Sequence, residues 1–200
     1  MRPRLFAALA PALTLAACLG GGHAPDHLLT LTPAETRPVA QPRSAGPNEA
    51  ITVVTPSVPA ALRTTRIPVY VDANTVQYLK DADWVETPGA LFGRLLGETI
   101  AARTGRVVLD PSQYSHDPGT RLTGQLLRFG LDPSAMQVVV TYDAAIARDP
   151  AGGVATNRFE ARVPVAAATR EAVAPALNQA ANQVADQVAA WLGTPQGTGS

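Results

Sequence analysis

The sequence predicts an α+β fold, an antiparallel-rich mixed sheet in the order β-α-β-β-β-α with the helices packed on the sheet. Three observations carry this expectation. Thr87 to Gly105 places apolar residues at three-and-four spacing, Ala174 to Leu192 does so again, and the runs between them alternate with period two between Gly- and Pro-rich turns.

Ile51-Thr52-Val53-Val54 reads as a strand, and Pro56 and Pro59 punctuate the connection after it. Ile67-Pro68-Val69-Tyr70-Val71 is a second extended run, in which Pro68, lacking an N–H, marks a strand start or an edge; Val76-Gln77-Tyr78-Leu79 is a third. Thr87-Pro88 opens the first helix as cap and first helical residue, and Gly105 closes it. Its stripe of Leu91, Phe92, Leu95, Leu96 and Ile100 requires an apolar partner surface. Arg106 to Leu109 follows as a strand, then a loop from Asp110 to Gly119. Leu122, Gly124 and Leu126 and then Leu127, Phe129 and Leu131 mark a long strand whose phase changes midway, as at a bulge. Val138, Val140, Tyr142 and Ala144 alternate, as do Phe159, Ala161, Val163 and Val165, with a turn at Asp149-Pro150-Ala151-Gly152-Gly153. Strands joined so closely imply an antiparallel meander. The last helix, expected from about Ala174 and entered through Pro175, lines one face with Leu177, Ala181, Val184, Val188 and Trp191. Asn178, Gln179, Asn182, Gln183, Asp186 and Gln187 cover much of the rest. Two readings of that amide face stay open, a plain polar surface and a surface covered by a partner.

The N-terminal region carries the sharpest motif. Arg2 and Arg4 precede an apolar stretch from Leu5 to Ala16, a secretory pattern too short to span a bilayer, which takes roughly 20 apolar residues. It ends in Leu15-Ala16-Ala17-Cys18, a lipobox: Leu15, Ala16 and Ala17 are the signal-peptidase recognition residues, and Cys18 is the lipidation site. Cys18 is the sole cysteine, so it has no intramolecular disulfide partner, and thioether acylation accounts for its position. The expected modification is a covalent diacylglycerol and an N-acyl chain on Cys18. Two chains already give stable anchoring without a crossing helix. Leu19, rather than Asp, follows the cysteine. By resemblance to enterobacterial sorting rules, this predicts the periplasmic face of the outer membrane.

The expected organisation is a signal peptide over 1–17, an acylated anchor and Gly/Pro-rich tether over 18–50, a folded domain over 51–193 and a disordered tail over 194–200. Within the tether, His27-Leu28-Leu29-Thr30-Leu31-Thr32 reads as an early strand able to pair with the domain. His23 and His27 are four apart, but Pro25 and the glycines argue against a helix there, so no metal is expected. Without residues 1–17, 14 basic side chains face 16 acidic ones, which leaves no basic field for nucleic acid.

Chemistry is sparse. The chain has no G-x-S-x-G elbow, H-E-x-x-H, P-loop or G-x-G-x-x-G. His116, in Ser115-His116-Asp117, sits on a Pro-flanked loop where adjacent side chains diverge. Asp81, Asp83 and Glu86 around Trp84 precede a helix N-terminus, where acidic residues are favourable on electrostatic grounds alone. No enzyme and no cofactor are expected.

Arg66-Ile67-Pro68-Val69, Val76-Gln77-Tyr78-Leu79, and Asp83-Trp84-Val85-Glu86 leading into Leu91, Leu95 and Leu96, continued by Gly124-Gln125-Leu126 and the Ala- and Asn-rich last helix, resemble the ABC-type transport auxiliary lipoprotein family. The resemblance covers most of residues 28–192. It implies a non-catalytic accessory role beside an ABC transporter and an Mce (mammalian cell entry) domain protein, in phospholipid transport between the two membranes. The expected partners are therefore that Mce-domain protein and its ABC transporter, the membrane through the lipid anchor, phospholipid, and further copies of the chain. Tyr78, Trp84, Asn178, Gln179, Asn182 and Gln183 are the expected contact residues. The alternatives are a lipid-binding periplasmic module with an apolar groove and a general envelope-integrity lipoprotein without an Mce partner.

Overall fold

A computed structural model describes residues 27–35, 44–46, 49–111, 119–148 and 152–193. The elements are β1 (Ile51–Val53), a 3-10 turn (Ala60–Leu62), β2 (Arg66–Tyr70), β3 (Val76–Asp83), α1 (Pro88–Thr104), β4 (Val108–Leu109), β5 (Thr120–Asp132), β6 (Gln137–Arg148), β7 (Gly152–Pro164) and α2 (Arg170–Gly193). Both helices pack on the sheet and on each other, as the two apolar stripes require.

β5 organises the sheet. One of its edges pairs antiparallel with β6 along nearly its whole length, and β6 pairs antiparallel with β7, so the expected meander is present. The other edge is divided. β1 pairs parallel with the start of β5 through Ile51↔Thr120, and β2 pairs parallel with its end through Val69↔Leu131. β4 extends the sheet beyond β1, and β3 extends it beyond β2. The phase change in β5 is a register shift between Leu126 and Arg128. It returns Phe129 and Leu131 to the face already buried by Leu122 and Leu126.

Two local expectations need correction. Pro68 lies within β2, between β3 and β5, rather than at a strand start or an edge. It is tolerated because the β2–β3 ladder is bulged beside it and because the Pro68 carbonyl sits directly against Gly130, where any Cβ would collide. α2 begins at Arg170, a turn before Ala174. Thr169 accepts its first backbone bonds and Val173 is fully buried, so core packing carries the helix through Pro175.

The space between sheet and helices is filled. Leu122, Leu126, Phe129, Val140 and Tyr142 meet Leu91, Phe92, Leu96, Leu177, Val184 and Val188, all essentially inaccessible. Phe92 and Tyr142 pack edge to face at 5.3 Å, as do Trp84 and Phe129 at 5.6 Å. Such pairs contribute about 0.5–1.5 kcal/mol beyond area burial. Burial raises the Tyr142 pKa far above its ordinary value, and its neutral hydroxyl donates to the Thr123 carbonyl at 3.2 Å. α1 stops at Gly105, whose φ of 69° is the left-handed closure that glycine adopts without strain.

Candidate interaction surface

The expected contact residues fall into three environments. Trp84 is in the core with 1% exposure, so it offers no surface to a partner. Its side chain packs on Phe129, and its indole N–H has no acceptor among the described residues. An interface reading from residue type alone fails here because a bulky ring after a strand fills core space equally well. Tyr78 is half-buried on β3. Its hydroxyl donates to the Ala61 carbonyl at 3.3 Å, and the Arg66 guanidinium lies 4.5 Å from its ring centre.

The amide face of α2 divides along its length. Gln179 and Gln183 are exposed. Asn178 and Asn182 instead hold the chain's own N-terminal segment. The Thr32 amide donates to Asn178 Oδ1 at 2.8 Å and the Ala34 amide to Asn182 Oδ1 at 2.7 Å. Asn182 Nδ2 donates to the carbonyls of Thr32 and Asn178 at 2.9 and 2.8 Å. Each such bond contributes about 1 kcal/mol net, and an asparagine suits the task because it offers both donor and acceptor. Upstream, Leu29 forms a parallel bridge beside Trp84, donating to the Asp83 carbonyl and accepting from the Val85 amide, both at 2.8 Å. Leu29 and Leu31 pack against the core. Downstream, Glu35 pairs with Arg103 at 3.2 Å, and Arg103 also reaches Asp186 at 3.0 Å. The early strand thus shortens to a single bridge within a strap, and the strap covers half the amide face. The residues that form the clasp are among the expected contacts, but their partner lies 146 to 150 residues away in the chain.

The outer face of the sheet carries paired charges that no sequence motif marks. Arg158 on β7 makes two 2.6 Å bonds to the Asp143 carboxylate of β6, which hold that carboxyl below its ordinary pKa. Burial works to raise the Glu160 pKa, but the Thr141 hydroxyl at 2.7 Å and Arg162 at 2.7 Å prevail and lower it. Arg128 stacks on Tyr70, 4.4 Å from the ring centre, and burial raises the Tyr70 pKa. These ladders screen a sheet face that no described helix covers.

No catalytic grouping forms among the described residues. Asp83 accepts from the Thr65 hydroxyl, Glu86, just before α1, pairs with Arg94 on that helix, and Asp81 sits in a left-handed bulge with φ of 52°. No set of three His, Cys, Asp or Glu side chains there is placed to hold a metal ion. His116, Cys18 and the recognition residues Leu15, Ala16 and Ala17 lie outside the described residues. A groove of about 390 Å³ between α1 and the β1–β4 edge is lined by Val53, Thr55, Glu86, Gly93, Arg94 and Asp110 and is as polar as it is apolar. It lacks the continuous apolar lining that an acyl chain requires. No helix among the described residues is long and apolar enough to cross a membrane.

What remains is a packed α+β module with polar surfaces and a built-in N-terminal strap. The model of the ABC-type transport auxiliary lipoprotein component family matches residues 29–189, and the chain belongs to that family. It is thus an auxiliary component of an ABC-type transport system, a lipoprotein family whose matched region begins at the strap. Among solved structures, the fold is similar to a DUF330-family protein from Xanthomonas campestris, with a TM-score of 0.67, 20% identity, and coverage of 83% of this chain and 94% of that one. An uncharacterised protein of 11% identity matches with a TM-score of 0.64 over 83% of this chain and 99% of that one. A PelC dodecamer from Paraburkholderia phytofirmans reaches a TM-score of 0.43 at 12% identity, covering 74% and 90%. No curated protein matches the chain.

Proposed function

We propose that the protein is acylated on Cys18, held at the periplasmic face of the outer membrane, and docks there on the end of an Mce-type phospholipid transport assembly driven by an ABC transporter. The observation that carries the reading is the auxiliary-lipoprotein family match over residues 29–189, directly downstream of a lipobox at Leu15-Ala16-Ala17-Cys18. Leu19 after the cysteine supports the outer-membrane address. The role is non-catalytic: the filled core and the dispersed carboxylates favour a docking part over an enzyme, and the filled space between sheet and helices favours it over a lipid carrier. Tyr78 and the open half of the α2 amide face, Gln179 and Gln183, are the proposed contacts. Asn178 and Asn182 contribute indirectly by holding the strap.

In-cell crosslinking of the full-length lipoprotein, followed by membrane separation and mass spectrometry, tests the proposal. Capture of an Mce protein in outer-membrane fractions is the expected result. Recovery of the protein in the outer membrane with no Mce protein crosslinked to it overturns the docking role. Recovery in the inner membrane overturns the address.

A further inference from the structure

We infer that residues 28–35 act as a strap that shortens the membrane tether, so that the domain rides close to the bilayer with its β3 edge, around Leu28 and Val85, turned toward the lipid surface. This rests on acylation of Cys18 as proposed above. A tether running to residue 50 would leave 31 residues between the anchor and Ala50. The structure fixes the chain much earlier. Leu29 is bonded on both sides of Trp84, Thr32 and Ala34 are clasped by Asn178 and Asn182, and Glu35 is paired with Arg103. Only nine residues then lie between Cys18 and Leu28, and the ten Cα steps from one to the other extend at most about 36 Å. The extended limit of a tether running to Ala50 is about threefold longer.

The exit point gives this reach a direction. β3 ends one side of the sheet and β7 the other, in the spatial order β3-β2-β5-β6-β7. The strap leaves the fold on the β3 side, and β7 lies four strand spacings away, about 19 Å. Leu28 and Val85, adjacent through the bond from the Val85 amide to the Leu29 carbonyl, are 52% and 44% exposed where the linker departs. An acyl anchor within so short a reach brings this apolar pair to the headgroups, and the bilayer is the occupant that the chain itself delivers there.

The test uses the full-length acylated chain in vesicles of phosphatidylethanolamine and phosphatidylglycerol carrying a headgroup energy-transfer acceptor. Because acylation consumes Cys18, a donor attaches only at an introduced cysteine, either Val85→Cys or Val154→Cys on β7. Transfer from Val85→Cys should exceed that from Val154→Cys by about twofold, given the 19 Å offset. Adding Asn178→Ala and Asn182→Ala to Val85→Cys should lower its transfer. So should a ten-residue Gly/Ser insertion after Gly22, which leaves the fold untouched and keeps the test valid if the alanine pair unfolds the domain. Equal transfer from the two sites, or no change on insertion, overturns the inference while the protein still floats with the vesicles. Failure to float overturns the anchor reading, and this inference falls with it.

Discussion

The two ends of the sheet solve the same problem differently. At the β3 end the strand is bulged, and its last residues are covered by the chain's own strap through the Leu29 bridge. At the β7 end, a 13-residue strand, irregular only at its start, pairs only with β6 among the described residues, and its outer surface presents Arg158, Glu160 and Arg162. Unpaired strand edges invite association, and proteins blunt them either by covering them or by charging them. Here the covered edge is closed by core contacts of the strap, whereas at β7 the charges lie on the outer face, away from the inward Phe159, Ala161 and Val163. Damage at the first should therefore propagate into stability, whereas damage at the second should remain on the surface.

Trp84→Ala should produce the largest effect. It removes a buried ring beneath the strap and leaves a cavity, so a loss of about 3–5 kcal/mol in urea-denaturation stability is expected. A loss below about 1 kcal/mol would show that the strap edge collapses without cost, contrary to the comparison. Asn182→Ala comes next. It unmakes the bonds to Ala34, Thr32 and Asn178 and should cost about 2 kcal/mol. The Thr32 and Ala34 amides should then exchange with solvent at least about tenfold faster, because 1.4 kcal/mol in an opening equilibrium is a factor of ten. Unchanged exchange at those amides would mean that the clasp does not hold the strap.

Smaller effects belong to the charged edge. The Asp143 carboxyl is held below its ordinary pKa by Arg158, and Glu160 is lowered despite its burial. A carboxylate depressed in the folded state binds its proton more weakly than in the unfolded chain. Its stabilisation is therefore complete above the unfolded pKa, near 4, and is lost as pH falls through the lower folded value. Stability should be level from about pH 7 to about pH 5 and fall below about pH 4, with Asp143→Asn giving a shallower acid limb. The Arg158–Asp143 pair is solvent-exposed, so its worth at neutral pH should be no more than about 1 kcal/mol. Gln183→Ala, on the open half of α2, should change stability by less than about 0.5 kcal/mol while weakening crosslinking to the partner.

Much of this architecture is legible in the residues. Leu91, Phe92, Leu95, Leu96 and Ile100 define the buried stripe of α1, and the alternation from Val138 to Ala144 and from Phe159 to Val165 gives the meander and its inward face. The break in phase between Leu126 and Phe129 marks the bulge. What stays hidden depends on partners far away in the chain. Neither Ile51–Val53 nor Arg66–Tyr70 indicates that both lie parallel to β5 along one edge, because such short runs fit several neighbours. Trp84 reads as an anchor residue until Phe129 and Leu29 are placed around it. Asn178 and Asn182 look like Gln179 and Gln183 until the backbone of Thr32 and Ala34 arrives, since helix periodicity separates faces but not the occupants of a face.

The bond from Ala34 to Asn182 joins residues 148 positions apart, so the first folded segment to leave the ribosome waits for nearly the last. Contacts of such separation close late, after the loop between them has ordered. With acylation of Cys18 and export as proposed, the chain would cross its export channel with the strap unengaged, and a product ending before Asn178 would keep the anchor while losing both asparagines. Closing the clasp marks completion of the domain, and on the proposed anchoring the distance to the membrane would become fixed only in molecules synthesised through α2.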